Sequence, residues 1–329
     1  FGGGTPFTTG SFTGTPSDLP NVDFAASDAA LSAAQISSFT SLYGYPIVQI
    51  PTMGTPITIP FNISSKTTNG SVTLTNDDVC GIFSGKITNW SGVSTHPTTA
   101  AIKVAYRADG SGTSFLLTQH LAATCTTGNS SFSLPIAATT TFANLFSTVP
   151  STFTGVTGSP GVQAAVLATA GAVGYLSPDF TQIAQEHNGD TDFSPVAAVG
   201  ATAATAVTPT RPNTTTALTL ATIPGEPSNT TGVPTVTTDP THWVPVSANP
   251  TSGYPIVGYT TWDLAQDYKN ATIATGLTTF LTGWYGSTTE INNRGFVAVP
   301  AALNTAIVNT FLSGTGSLAI KASTLSTAR

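Results

Sequence analysis

Tyr106-Arg107-Ala108-Asp109-Gly110-Ser111-Gly112-Thr113-Ser114-Phe115 places one of only four arginines in the chain four residues before a Ser-Gly-Thr step. Residues 102–106 have a strand pattern and residues after 113 an apolar, helix-like one, so the stretch is a strand-to-helix junction, the signature of an α/β fold. At such a junction the hydroxyls of Ser111 and Thr113 and the free N–H groups of the helix start point at one place, where the helix dipole favours an anion. Arg107 can add a bidentate, charge-assisted pair of hydrogen bonds to the same oxygens. Spacing alone leaves open a plainer alternative, a Gly-rich turn with a surface arginine.

Working outward, residues 22–26 read as a short strand, Ser27-Asp28 as a helix N-cap, and the Ala/Leu stretch to Phe39 as that helix. Residues 47–61, with prolines at 51, 56 and 60, suit an edge or crossover strand, because proline cannot donate to a ladder. Residues 74–83 are helical, capped around Asn76-Asp77-Asp78. Beyond the junction come a helix at 162–170 and a strand at 172–176. A Thr/Ala/Pro-rich stretch at 197–240 reads as long surface excursions. Residues 242–246 recover a strand pattern, 254–264 read as a strand running into a helix start, and 274–285 as an amphipathic helix. A short strand at 296–299 and a last helix at 301–312 follow, and the first 20 residues read as loop. This alternation predicts an open, mixed or mostly parallel sheet, with ligands beyond the carboxyl ends of its strands.

The 329 residues are enough for two domains or one large one. Hydrophobic residues make up 40%, charged ones only 7%, and the net charge is −6. Nothing in that balance suits a nucleic-acid partner. The summed charge repels an anion at long range, so local donors must dominate at any anion site. No apolar run approaches the ~18 residues of a membrane span. Cys80 and Cys125 are the only cysteines and have no metal-ligand spacing. They read as one disulfide closing a loop of about 45 residues, worth roughly 3–4 kcal/mol and implying an oxidising compartment, or as two buried free thiols. His96, His120, His187 and His242 show no metal spacing, and Ser111 lacks a nucleophile-elbow motif or triad partners. Phe115, Trp90, Trp262, Phe280 and Trp284 read as core.

An ordered series of segments carries a more specific signal. It comprises Ala25-Ala26-Ser27-Asp28-Ala29-Ala30-Leu31, then Cys80-Gly81-Ile82-Phe83-Ser84-Gly85-Lys86-Ile87-Thr88-Asn89-Trp90-Ser91-Gly92, then the Arg107 loop. Gly171-Ala172-Val173-Gly174-Tyr175-Leu176-Ser177-Pro178-Asp179-Phe180 and Ser252-Gly253-Tyr254-Pro255-Ile256 complete it. From about residue 21 onward the chain resembles the periplasmic phosphate-binding proteins of ABC phosphate transporters, most closely their secreted DING subfamily. The resemblance implies a two-lobed periplasmic-binding-protein (type II) α/β fold, each lobe a mixed sheet flanked by helices. Residues 1–53 and 255–329 would form the first lobe and 54–254 the second. It implies that Arg107, Ser111, Gly112 and Thr113 form the anion loop, with Ser27 and Asp28 opposite; Asp109, two residues from Arg107, reads either as a partner that orients the guanidinium from behind or as a plain turn aspartate. Cys80 and Cys125 match a disulfide of that subfamily, whereas a second one has no counterpart at 265–268. Relatives also carry two ligand loops upstream of the acidic residue. Only about 20 residues precede that strand here, with residues 2–5 the one possible remnant, so an N-terminal segment is expected to be missing from the chain.

The implied function is capture of inorganic phosphate, with arsenate as mimic, by a monomer in the periplasm or outside the cell. An ABC permease is the implied partner, and no cofactor, metal or catalytic residue is expected. Asp28 would then select by protons: hydrogen phosphate can donate its O–H to the carboxylate, whereas sulfate would leave two acceptors face to face. A secreted phosphatase or phosphotriesterase on the same scaffold is the alternative, and a structural or adhesive surface protein a third class.

Overall fold

The computed structural model describes residues 23–93, 99–134 and 136–323. The expected leading loop, residues 2–5 and His96 lie outside them. In chain order the elements of the first half are β1 (Phe24–Ser27), α1 (Ala33–Tyr43), β2 (Ile47–Pro56), β3 (Thr73–Thr75), α2 (Asn76–Phe83), β4 (Lys103–Arg107), α3 (Gly112–Thr124), β5 (Phe153–Val156) and α4 (Gly158–Ala168). The second half holds β6 (Ala172–Val173), β7 (Ala198–Gly200), α5 (Arg211–Leu218), β8 (Val257–Ala265), β9 (Asp267–Tyr268), α6 (Ala271–Gly286), α7 (Thr288–Asn293), β10 (Val297–Ala298), α8 (Ala301–Ile307) and β11 (Lys321–Ala322).

Side-chain caps set several of the helix starts. Ser32 and Gln35 form a capping box at α1, Thr75 and Asp78 another at α2, and Ser111 and Asn270 cap α3 and α6. The helix expected from Ser27-Asp28 therefore begins later, at Ala33. Ser27 Oγ bonds the backbone of Ala29 instead, and the residues between form a turn that carries Asp28 outward.

One sheet has the order β1-β8-β2-β10 and is antiparallel throughout. A second region contains the parallel set β5-β4-β6 and the parallel pair β3-β7. The extended segment 57–62 knits these together. Thr58 N–H donates to Leu176 O at 2.8 Å on one side, and Ala197 N–H donates to Ile59 O at 2.9 Å on the other. The mixed α/β architecture of the periplasmic-binding-protein fold is thus present, with antiparallel and parallel pairing largely segregated between the two regions.

Proline misplaced one strand in the sequence reading. β2 is not an edge: it lies between β8 and β10 and is buried along almost its whole length. The missing N–H of Pro51 is absorbed by a bulge, where the register against β8 slips between Pro51 and Met53 and leaves Thr52 as the extra residue. Only the continuation after Pro56 leaves this sheet. β8 is an uninterrupted strand, its Thr260-Thr261-Trp262 run favouring extended backbone.

Threonine richness hid further structure. The stretch at 197–240 contains β7 and α5, with Thr214, Ala217 and Leu218 buried. Leu218 fills the space over Gly54 of β2, where a Cβ would meet its Cδ1 at 2.2 Å. The strand expected at 242–246 is a 3-10 turn, Pro240–Trp243, and Trp243 sits wholly buried, edge-on to Phe311 at 4.8 Å. Trp90 is core as expected, but Phe280 is 47% exposed, outermost of a cluster with Phe24, Trp262 and Trp284. Cys80 and Cys125 form a disulfide with Cα atoms 5.5 Å apart, tying α2 to the end of α3. No helix among the described residues is long and apolar enough to cross a membrane.

Candidate anion site

β4 ends at Arg107 between its parallel neighbours, and the chain turns directly into α3, so the helix start stands at the carboxyl end of the strands. Ser111 is the N-cap, in extended conformation, and its N–H donates to Thr140 O at 2.9 Å. The first-turn N–H groups of Gly112 and Thr113 have no acceptor among the described residues, as helix geometry requires. Gly112 is needed for a close approach. A Cβ there would lie 2.6 Å from Asp28 Cβ and 2.9 Å from Asp28 Oδ2.

Asp28 is held from the antiparallel sheet. Thr260 on β8 donates its hydroxyl to Asp28 Oδ1 at 2.6 Å, and Thr261 donates to Ser27 O at 2.8 Å. Gln49 on β2 braces the turn behind, donating to Ala29 O at 3.1 Å, accepting from Leu31 N–H at 3.1 Å, and donating to Asp263 Oδ1 at 2.8 Å. Burial pushes the Asp28 carboxyl above the usual carboxylate range. The Thr260 bond opposes that shift, Asp179 adds to it, and Arg107 counters it.

Arg107 is mostly buried and engaged. Its Nε donates to Asp109 Oδ1 at 2.8 Å, Nη2 bonds Asp109 Oδ2, and Nη1 reaches Ser159 Oγ at 3.3 Å. The hydrogen bond from Arg107 holds the Asp109 carboxyl down at about 2. Asp109 occupies two of the five guanidinium N–H groups and Ser159 a third, which leaves two without a partner among the described residues. Tyr175 locks the strand to the helix: its hydroxyl accepts from Arg107 N–H at 3.0 Å and pairs with Ser114 Oγ at 2.7 Å. Burial pushes that phenol up to about 12.

A cleft of about 410 Å³ gathers Ala26, Ser27, Asp28, Gly110, Ser111, Gly112, Thr140 and Thr260. Ser27, Asp28, Ser111 and Gly112 are thus brought together. Arg107 and Thr113 are not among the residues that line it, and Asp109 is bonded to Arg107. Thr140 and Thr260 were missed by sequence reasoning, since a threonine in a threonine-rich chain carries no local signal. His120 is buried on α3 with its Nδ1 3.1 Å from Ala248 O, and burial lowers it to about 4. His187 stacks on Phe193, and His242 pairs with Glu226 at 2.9 Å. Among the described residues no group of His, Cys, Asp or Glu is placed to hold a metal ion.

The chain is similar to known proteins over most of its length. A model of the PBP superfamily domain matches residues 5–283. A Pseudomonas aeruginosa (strain PAO1) protein named alkaline phosphatase L is 33% identical, over 93% of this chain and 81% of that one. A protein named phosphate-binding protein, from an unknown prokaryotic organism, is 34% identical over 91% and 82% of the two chains. Among solved structures, the high-affinity periplasmic phosphate-binding protein PfluDING, bound with phosphate, superposes with a TM-score of 0.77. It is 33% identical, with 95% of this chain and 84% of that chain covered.

Proposed function

The chain belongs to the PBP superfamily, and from that premise we propose that it binds inorganic phosphate, as hydrogen phosphate, in the cleft between Asp28 and the start of α3. One observation carries the reading: the Asp28 carboxylate lies against a helix N-terminus whose first N–H groups have no acceptor among the described residues. A dianion without a proton would satisfy the N–H groups and repel the acid. Hydrogen phosphate satisfies both, its oxygens taking the donors and its O–H going to Asp28.

In this reading the N–H groups of Gly112 and Thr113 and the hydroxyls of Ser111 and Thr113 donate to the anion. Arg107, oriented by Asp109, supplies compensating charge, and Ser27 lines the opposite wall. The lobes follow the sheets: residues up to about 56 and from about 211 go with the antiparallel sheet, and the stretch between with the other. This proposal sets the return boundary earlier than the expected 254, on the ground that α5 and the Pro240–Trp243 turn pack on β2. Names of related proteins support phosphate as ligand, and the disulfide fits a periplasmic or extracellular location. A monomer that delivers its ligand to an ABC permease completes the proposal.

Calorimetric titration tests it. Phosphate and arsenate are expected to bind with similar affinity and sulfate orders of magnitude more weakly. Asp28→Asn is expected to lose discrimination against sulfate more than affinity for phosphate. Undiminished rejection of sulfate by that variant would refute the selectivity argument.

The name alkaline phosphatase L among the relatives favours a second reading, hydrolysis of a phosphomonoester held in the same cleft. Among the described lining residues Asp28 is the only titratable one, so it would have to act as the acid or base. Phosphate release from p-nitrophenyl phosphate, abolished in Asp28→Asn, would establish that activity.

A further inference from the structure

We propose that Thr260 decides which anions the cleft accepts, by standing between Thr55 and Asp28 and keeping Asp28 an acceptor with Oδ2 turned to the anion. The inference rests on the reading that the cleft takes hydrogen phosphate.

The geometry gives the hydrogen bonds a direction. Thr260 Oγ1 lies 2.6 Å from Asp28 Oδ1 and 2.7 Å from Thr55 Oγ1. A hydroxyl has one hydrogen, and an ionised carboxylate has none to give. The Thr260 hydrogen therefore goes to Asp28, and Thr55 must donate to Thr260. The relay runs Thr55 to Thr260 to Asp28. It is braced at the backbone as well, since Thr52, the extra residue of the β2 bulge, donates its hydroxyl to Thr260 O at 3.0 Å. Thr55 and Thr260 are diagonal neighbours across β2 and β8, and Thr55 is fully buried.

With Oδ1 committed to Thr260, Oδ2 is the oxygen left facing Gly112 and the cleft. Protonating Asp28 would turn its acid from acceptor into donor, and a donor at that point serves sulfate as well as hydrogen phosphate. Four influences bear on that choice. Burial and Asp179, on the turn Pro178–Phe180, favour the protonated acid, whereas Arg107 on β4 and the Thr260 bond favour the carboxylate. Of the two groups on the carboxylate's side, Thr260 alone is bonded to Asp28. Asp263, farther along β8, is turned to Gln49.

The test compares wild type with Thr260→Val, Thr260→Ser and Thr55→Val by titration with phosphate and with sulfate from pH 5 to 8.5. Carboxyl NMR of Asp28 in the ligand-free proteins is followed alongside. Thr260→Val is expected to admit sulfate on the acid side, with the phosphate-to-sulfate preference at pH 6 reduced about tenfold or more, and with Asp28 titrating at higher pH. Thr260→Ser keeps the hydroxyl and is expected to behave as wild type, and Thr55→Val to follow Thr260→Val more weakly. If Thr260→Val binds phosphate with unchanged preference and pH profile, the role of Thr260 is overturned while the phosphate reading stands. If wild type ignores phosphate, both fall.

Discussion

Asp28 and Gly112 meet across the cleft so closely that a methyl group on Gly112 would stand 2.6 Å from Asp28 Cβ and 2.8 Å from its backbone nitrogen. The contact joins the turn after β1 to the first residue of α3, and it leaves no room for any side chain there. Gly112→Ala must therefore push the two walls apart. Overpacking of this kind costs about 1–3 kcal/mol, so phosphate affinity is expected to fall roughly ten- to hundredfold. Alanine is the better helix former by up to about 1 kcal/mol, which offsets part of the same strain in the folded state, so thermal stability should fall by less than binding. Calorimetry on the variant with unchanged affinity would place the anion away from this contact.

Arg107 tests the cationic side. Asp109 takes one edge of the guanidinium through Nε and Nη2, and only a planar fork can hold that acid and still offer hydrogens elsewhere. Arg107→Ala is expected to cost about 2–5 kcal/mol in phosphate binding. Arg107→Lys should recover only a small part, because a single ammonium cannot serve Asp109 and the anion together. Losses below about 0.5 kcal/mol in the alanine variant, within the range of a surface charge, would put Arg107 outside the site.

How far the sequence could be read depended on whether the signal was local. The Arg107 loop was legible because its strand, glycines, hydroxyls and helix follow one another in ten residues. Asp28 was legible as a participant but not in its setting. It does not cap the following helix; Thr260, 232 residues away, holds it, and no spacing rule links two such positions. β2 was misjudged for a physical reason: Pro51 forbids a regular ladder, but a one-residue bulge restores it in the sheet interior. α5 escaped notice because Thr214, Thr215 and Thr216 dilute its apolar face, leaving Ala217 and Leu218 to make the packing contact.

Asp263 should register in stability rather than binding. Burial raises its carboxyl from 3.8 to about 6, with the bonds from Gln49 and Thr261 opposing. A carboxyl with a raised folded-state pKa favours folding most below its unfolded value, and that contribution is lost as pH rises through the folded one. Wild type is thus penalised increasingly as pH rises from about 4 to 6 and fully above that, whereas Asp263→Asn carries no such charge. Relative to wild type the variant is expected to gain on the order of 2–3 kcal/mol between pH 4 and pH 7. Urea unfolding at the two pH values measures it. A difference that does not change with pH would mean Asp263 ionises as freely folded as unfolded.

The disulfide separates fold from site. Cys80–Cys125 closes 45 residues that include β4, the Arg107 loop and α3. Yet it grips α3 at its far end, a full helix length from Gly112. Replacing both cysteines by serine should cost roughly 3–4 kcal/mol of stability through the freed chain, lowering the melting temperature by about 5 °C. Well below that melting point the start of α3 is still fixed by Tyr175 on Ser114 and Arg107, and by Thr140 on Ser111. Phosphate affinity at 25 °C is therefore expected to stay within about twofold of wild type. Paired thermal melts and titrations check this, and a parallel loss of affinity would show that the bond, rather than the Tyr175 lock, sets the geometry of the helix start.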